Sequence, residues 1–182
     1  MRSQPRCVFI EVTNLSNLSC ATCVRAFTAY EPPRVQTMEE FEAISAQLPA
    51  MDRAVLHGLG EPLLNRHLPA MIRHLKGRGI TVLFNSNGTL LTTEWQEALV
   101  LSGLDELRIS IDTPDAERYA RIRGRPLLHR VIDNVRGLIA TQRRLGAETP
   151  RLSFWVVGTK DNFEQLPDLI RLASSTGVPE VY

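Results

Sequence analysis

Six short apolar runs, five of them followed by a stretch with helical spacing, constrain this chain more than any other feature. The runs are CVFIEV (7–12), RAVLHG (53–58), ITVLFN (80–85), ELRISID (106–112), RLSFWVVG (151–158) and VPEVY (178–182). Most are apolar on both faces, as strands of a helix-covered parallel sheet must be. Between them, Thr37 to Glu40 reads as a capping box before MEEFEAISAQL. Leu68, Met71, Ile72 and Leu75 fall at i, i+3, i+4 and i+7, a single helical stripe. TTEWQEALVLSG runs from a Thr cap to Gly103. A longer stripe runs through Leu128, Val131, Val135, Leu138 and Ile139 towards Gly146. Asn162 is a candidate cap for the last helix, which Gly177 ends.

The order βα five times, then a sixth strand, predicts an α/β fold with a parallel sheet and right-handed crossovers. An open doubly wound sheet and a partial (β/α) barrel both fit. The 182 residues contain no linker or low-complexity break, so residues 1–182 read as one domain. The chain stops on its last strand without a helix to cover it, and a C-terminal truncation is expected.

Composition narrows the function. Hydrophobic residues make up 43% and charged residues 23%, with net charge +1. No bulk field points to nucleic acid or membrane. The arginines at 121, 123, 125, 130, 143 and 144 are expected on solvated faces. The start, MRSQPRCVFIEVTN, lacks the apolar core of a signal peptide, and no run approaches the ~18 residues of a membrane span. Three cysteines do not make a disulfide framework, so a cytoplasmic chain with reduced thiols is expected.

In either architecture the chemistry lies beyond the carboxyl ends of the strands. There the sequence carries TNLSNLSCATC, HGLGEP, NSNGT, SIDTPD and GTKDN, one after each strand. The Cys20–Cys23 pair alone is compatible with zinc, an iron–sulfur cluster, a redox pair or two packed residues. No histidine is spaced to complete a zinc knuckle.

Taken together, EVTNLSNLSCATCVR, HGLGEPLLN, FNSNGTLLT and ELRISIDTPDAERYARIRG resemble the core domain of radical S-adenosylmethionine (SAM) enzymes, particularly those with a SPASM- or twitch-type C-terminal extension. The resemblance covers about residues 7–182. It implies a partial (β/α) barrel of about five βα units plus the start of a sixth strand. It also implies two cofactors, a [4Fe–4S] cluster and SAM. Three cysteines of C-x3-C-x2-C would hold the cluster, leaving one iron for the amino and carboxylate groups of SAM. One-electron cleavage of SAM then gives methionine and a 5'-deoxyadenosyl radical that abstracts hydrogen from a substrate. Implied partners are a small-molecule or peptide substrate and an electron donor such as flavodoxin or ferredoxin, with no nucleic acid or membrane.

Carried over by position, Cys20 and Cys23 match the second and third cluster cysteines, and Ser16 stands where the first would be. Gly58, Gly60, Glu61 and Pro62 match the glycine-rich element that meets the methionine amino group. Ser86 and Asn87 match ribose-side polar groups. Ser110 and Asp112 match positions near the methionine carboxylate or ribose, with helix capping as the competing role for Asp112. Arg123 reads equally as a neutraliser of the SAM carboxylate or as a surface residue. Residues 157–159 should pass near the adenine. His57 reads as a structural neighbour of its loop, and Tyr119 and Trp155 as packing residues.

The chain departs from the family's pattern at three places. A serine oxygen is harder than a thiolate and ligates iron less well, so low cluster occupancy is expected. Cys7 cannot substitute, because five residues at ~3.3 Å each put it roughly 16 Å from the carboxyl end of its strand, where it should be packed. Thr22 replaces a common aromatic, and the sixth helix is absent. The alternative is a cluster-deficient, non-catalytic α/β module that binds SAM or a nucleotide, and behind it a C-x-x-C redox protein. The loop is expected to keep the family's shape, with both thiols facing the Gly58–Glu61 turn.

Overall fold

A computed structural model describes residues 4–28 and 31–182; the first three residues of the start assessed for a leader lie outside it. Six parallel strands pair strictly in chain order: β1 (Cys7–Phe9), β2 (Arg53–Val55), β3 (Thr81–Ser86), β4 (Glu106–Ser110), β5 (Arg151–Trp155) and β6 (Glu180–Val181). Sequential order excludes the doubly wound alternative, in which the order reverses at a switch point. It leaves the partial barrel, with helical crossovers joining the successive parallel strands.

The helices are α1 (Met38–Ala46), α2 (Leu68–Lys76), α3 (Thr93–Leu101), α4 (Ala116–Arg123), α5 (Leu128–Leu145) and α6 (Leu166–Thr176). The capping box forms as expected, with Glu40 N–H donating to Thr37 Oγ1 at 3.2 Å and Thr37 N–H to Glu40 Oε2 at 3.0 Å. All four stripe residues of α2 are fully buried, as are Val131, Val135 and Leu138 of α5. Two expected caps differ. Thr92 makes no side-chain bond at the start of α3, and Asn162 ties strand ends together instead of capping. The fourth crossover holds two helices, because Gly124 (φ 77°) ends α4 in the left-handed region before α5 begins.

Strands alternate as a barrel wall should. Val82, Phe84, Leu107 and Ile109 face the helices and join the main core. Glu106, Arg108 and Ser110 alternate onto the opposite, concave face, where Glu106 pairs with Arg53 (3.0 Å) and Arg108 (3.1 Å). Trp155 packs under the Arg108 guanidinium at 4.2 Å, while Tyr119 is fully buried.

The regular strands stop earlier than the apolar runs, at Phe9, Val55, Ser110 and Trp155. One more inter-strand bond follows each of these ends, such as Ile10 N–H to Val55 O at 2.9 Å, and then the backbone turns to loops and side chains. Thr13 bridges Val35 in antiparallel fashion, and Val157 N–H donates to Asp112 Oδ1 at 2.9 Å. Cys7 starts β1 at the end remote from the loops, yet it is exposed, not packed, because β1 is an edge strand with no neighbour beyond it among the described residues. Among those residues no helix is long and apolar enough to cross a membrane.

Truncating Phe84, fully buried where sheet meets helices, is expected to cost about 3–5 kcal/mol. Urea unfolding of Phe84→Ala beside Leu101→Ala, whose side chain is exposed, measures it. A loss of similar size at both positions would contradict this assignment of the core.

Candidate functional site

The five loops after β1–β5 meet at one rim. A cavity of about 420 Å³ there is lined by Ser16, Cys20, Cys23, Gly58, Gly60 and Glu61, and further by Ser86, Asn87, Ser110, Arg123 and Val157. Both cysteines are free thiols, and both line the same cavity as the glycine turn. Pro62 and Asp112 do not line it. Pro62 is buried as the first residue of a single 3-10 turn, Pro62–Leu64. Asp112 lies behind the rim and caps no helix; Asp115 does that, accepting from Arg118 N–H at 2.7 Å.

Glu61 organises the rim. Its carboxylate is fully buried and accepts from Leu63 N–H (3.1 Å), Ser86 Oγ–H (2.8 Å) and Asn87 N–H (2.7 Å). Burial pushes its carboxyl above the usual range, and the three donors pull it back. Its own N–H donates to Leu15 O at 2.7 Å, which pins the cysteine loop to the glycine turn. Asn87 then donates to Asn17 Oδ1 at 2.8 Å, and Asn17 Nδ2 donates to Thr89 Oγ1 at 2.8 Å. Ser86 and Asn87 thus spend much of their polar capacity within the protein, whereas Ser110 Oγ makes no hydrogen bond to another described residue.

The glycines answer first to the protein. A Cβ on Gly60 would overlap the Thr13 carbonyl, and one on Gly58 would overlap the Glu11 carboxylate. That carboxylate accepts the Leu59 and Gly60 N–H groups. The crossing of loop one over loop two therefore demands bare backbone.

Arg123 is buried, contrary to the expectation of solvated arginines. Its Nη2 lies 2.7 Å from Asp112 Oδ2 and its Nη1 3.9 Å from Cys20 Sγ. The ion pair is close but lacks an aligned N–H···O bond, and Arg123 Nε has no partner among the described residues. Asp112 Oδ1 holds Val157 N–H, so one chain of contacts joins Cys20 to the ends of β4 and β5. Tyr119 packs beside this pair with its hydroxyl buried, and burial lifts its pKa to about 12. Ala21 N–H donates to Ile122 O at 2.8 Å, which docks the cysteine loop on the last turn of α4.

Sequence reasoning passed over four residues that build the rim. Asn17, Asn65 and Thr89 form its hydrogen-bond frame, with Asn65 Nδ2 donating to Val12 O (2.9 Å) and Gln36 O (3.0 Å). Their signal was modest: each sits inside a quoted motif. Glu11 ended a strand run and looked like an ordinary edge charge. His57 lines the cavity as well as flanking its loop, and burial lowers its pKa, helped by Arg108 and opposed by Glu11.

The donor set fits an iron–sulfur cluster in two of three positions. Cys20 and Cys23 present soft thiols to a cavity with bare backbone opposite, and Ser16 offers a hydroxyl at the third.

Two outcomes follow from this geometry. Gly60→Ala should destabilise the fold by about 1–3 kcal/mol, read by urea unfolding, because the Thr13 carbonyl cannot yield without breaking the rim; a neutral effect would show that the loops do not cross so tightly. His57 has a folded-state pKa below its ordinary 6.5. As pH falls below that value the unfolded chain gains a proton before the folded one, so stability drops with acidification. Thermal unfolding at several pH values should show His57→Gln losing part of that dependence, and equal slopes would contradict it.

Residues 10–173 match the Radical SAM superfamily. The chain is 28% identical over 174 residues to a tungsten-containing aldehyde ferredoxin oxidoreductase cofactor-modifying protein of Pyrococcus furiosus, covering 94% of this chain and 49% of that protein. It is 37% identical over 125 residues to a probable GTP 3',8-cyclase of Sulfurisphaera tokodaii, covering 68% of this chain and 37% of that one. It spans about half or less of these relatives' lengths. Its fold matches Streptococcus suis SuiB bound to S-adenosylmethionine with TM-score 0.79 and 20% identity, over 98% of this chain and 40% of SuiB. The cysteine loop, the glycine turn and the sequential parallel sheet that joins them thus stand in the setting of known relatives, and this chain belongs to the Radical SAM superfamily.

Proposed function

We propose that the protein to which this sequence belongs cleaves SAM reductively at this rim and uses the product to take a hydrogen atom from a peptide or small-molecule substrate. The observation that carries the reading is the convergence of Cys20, Cys23 and the Gly58–Glu61 turn on one cavity. When bound, the cluster and SAM supply one-electron cleavage to methionine and a 5'-deoxyadenosyl radical.

The chain's own residues bind and orient. Cys20 and Cys23 would hold the cluster's iron through their sulfurs. The Gly58–Gly60 turn lines the same cavity with its N–H groups at 59 and 60 held by Glu11, so its carbonyls would be the groups that meet the methionine amino group of SAM. Ser110, with no hydrogen bond to another described residue, would be free to bond a hydroxyl or carboxylate of SAM, and Ser86 and Asn87, held by Glu61, would flank its ribose. Asp112 acts through Arg123, whose cation sits beside Cys20 and within reach of a carboxylate. Val157 and Thr22 line the same cavity and would flank the adenine of SAM. A flavodoxin- or ferredoxin-type donor supplies the electron. The substrate class is supported by two similar proteins: SuiB has been solved bound to its precursor peptide SuiA, and a mycofactocin maturase is 25% identical over 177 residues.

Anaerobically reconstituted Ser16→Cys, given SAM and dithionite, should release 5'-deoxyadenosine, measured by liquid chromatography. The unsubstituted chain should release at least about tenfold less, as a poorer ligand set would dictate. SAM binding by both forms with no 5'-deoxyadenosine from either would instead favour the non-catalytic module, which the serine at position 16 makes the second reading.

A further inference from the structure

We infer that Ser16 is itself the third protein ligand of the cluster, through its side-chain oxygen, so that this loop holds iron by two thiolates and one oxygen. The inference rests on the radical SAM reading above and specifies its ligand set.

Elimination comes first. Among the described residues no three of His, Cys, Asp or Glu stand close enough to share a metal ion. The third cysteine, Cys7, begins β1 at the end of the sheet remote from the rim. The five residues outside the description, Met1, Arg2, Ser3, Ala29 and Tyr30, include none of those ligand types. Among the described residues, therefore, no His, Cys, Asp or Glu completes a three-ligand set with Cys20 and Cys23, whereas Ser16 lines the cavity they share.

Position 16 is also clamped from both sides. Leu15 O is held by Glu61 N–H, and the Asn17 amide is bonded to Asn87 and to Thr89. A side chain between two fixed neighbours loses little further freedom on ligation, which offsets part of oxygen's weaker affinity for iron. The Leu18 N–H donates to Ser16 Oγ at 3.3 Å. Ligation forms an iron–oxygen bond, breaks the hydroxyl O–H bond and passes the proton to solvent, with no change in oxidation state. The alkoxide carries the same charge as the thiolate it replaces, so the buried Arg123 cation beside Cys20 meets the same balance.

The test reconstitutes the unsubstituted chain, Ser16→Ala and Ser16→Cys anaerobically with iron and sulfide, then removes all small thiols by dialysis. Iron per chain after a chelator challenge and the electron paramagnetic resonance spectrum of the reduced protein are read. Against the low occupancy expected from the hardness of oxygen alone, the unsubstituted chain should keep about four irons, as a [4Fe–4S] cluster requires. Ser16→Ala should keep at least about tenfold less, since loss of even an outer-shell partner typically costs that much. Ser16→Cys should keep its iron with a spectrum distinct from the serine form. Two results overturn the inference alone: Ser16→Ala matching the unsubstituted chain in iron and spectrum, or the unsubstituted chain losing iron with the small thiols while Ser16→Cys keeps it, which assigns the position to an external thiolate. If Ser16→Cys also holds no iron, the cluster reading falls with it.

Discussion

The rim depends on one buried carboxylate. Glu61 gathers donors from its own turn and from the loop after β3, while its backbone N–H holds the loop after β1. All three identified partners of its side chain are donors, an arrangement made for an acceptor-only group. Opposing this is the cost of burying charge without a cation beside it. The loops pay for that by folding around it, and in doing so they fix the spacing between the thiols and the glycine turn. Three elements separated by dozens of residues become one site through a single residue, its carboxylate on one side and its backbone N–H on the other.

The same logic explains why regular strands end before the apolar runs do. A strand that continued to Val12 or Val157 would spend its backbone groups on the ladder. Here those groups are released to Asp112 and to the segment around Val35. The sheet supplies rigid stems and the stem ends supply adaptable backbone, the division of labour expected of a scaffold with functional loops.

Much of this was legible in the sequence, and for identifiable reasons. Periodicity is local, so the α2 stripe, the α5 stripe and the Thr37 capping box could be read from neighbouring residues alone. Strand order could not, since pairing is decided between distant segments; two architectures remained until the β1–β6 sequence of partners was seen. Arg123 was illegible for the same reason: its burial comes from Asp112, eleven positions away, and from a cysteine loop a hundred residues upstream. Cys7 was misjudged because an apolar run says nothing about whether its strand has a neighbour on both sides. Glu11 and Asn17 look like any rim polar residue until the partners that use them are in place.

The Asp112–Arg123 pair has a consequence for how the site meets its surroundings. Both side chains are almost wholly shielded from solvent, at 2% and 9% exposure. Mobile ions approach surface pairs such as Arg144–Glu97 and weaken them within a Debye length of about 8 Å at physiological ionic strength, but they screen this buried one much less. The anchorage of the cysteine loop to the ends of β4 and β5 is thus largely indifferent to salt. Ionic strength can govern how a charged electron donor or substrate approaches the rim without loosening the geometry it arrives at.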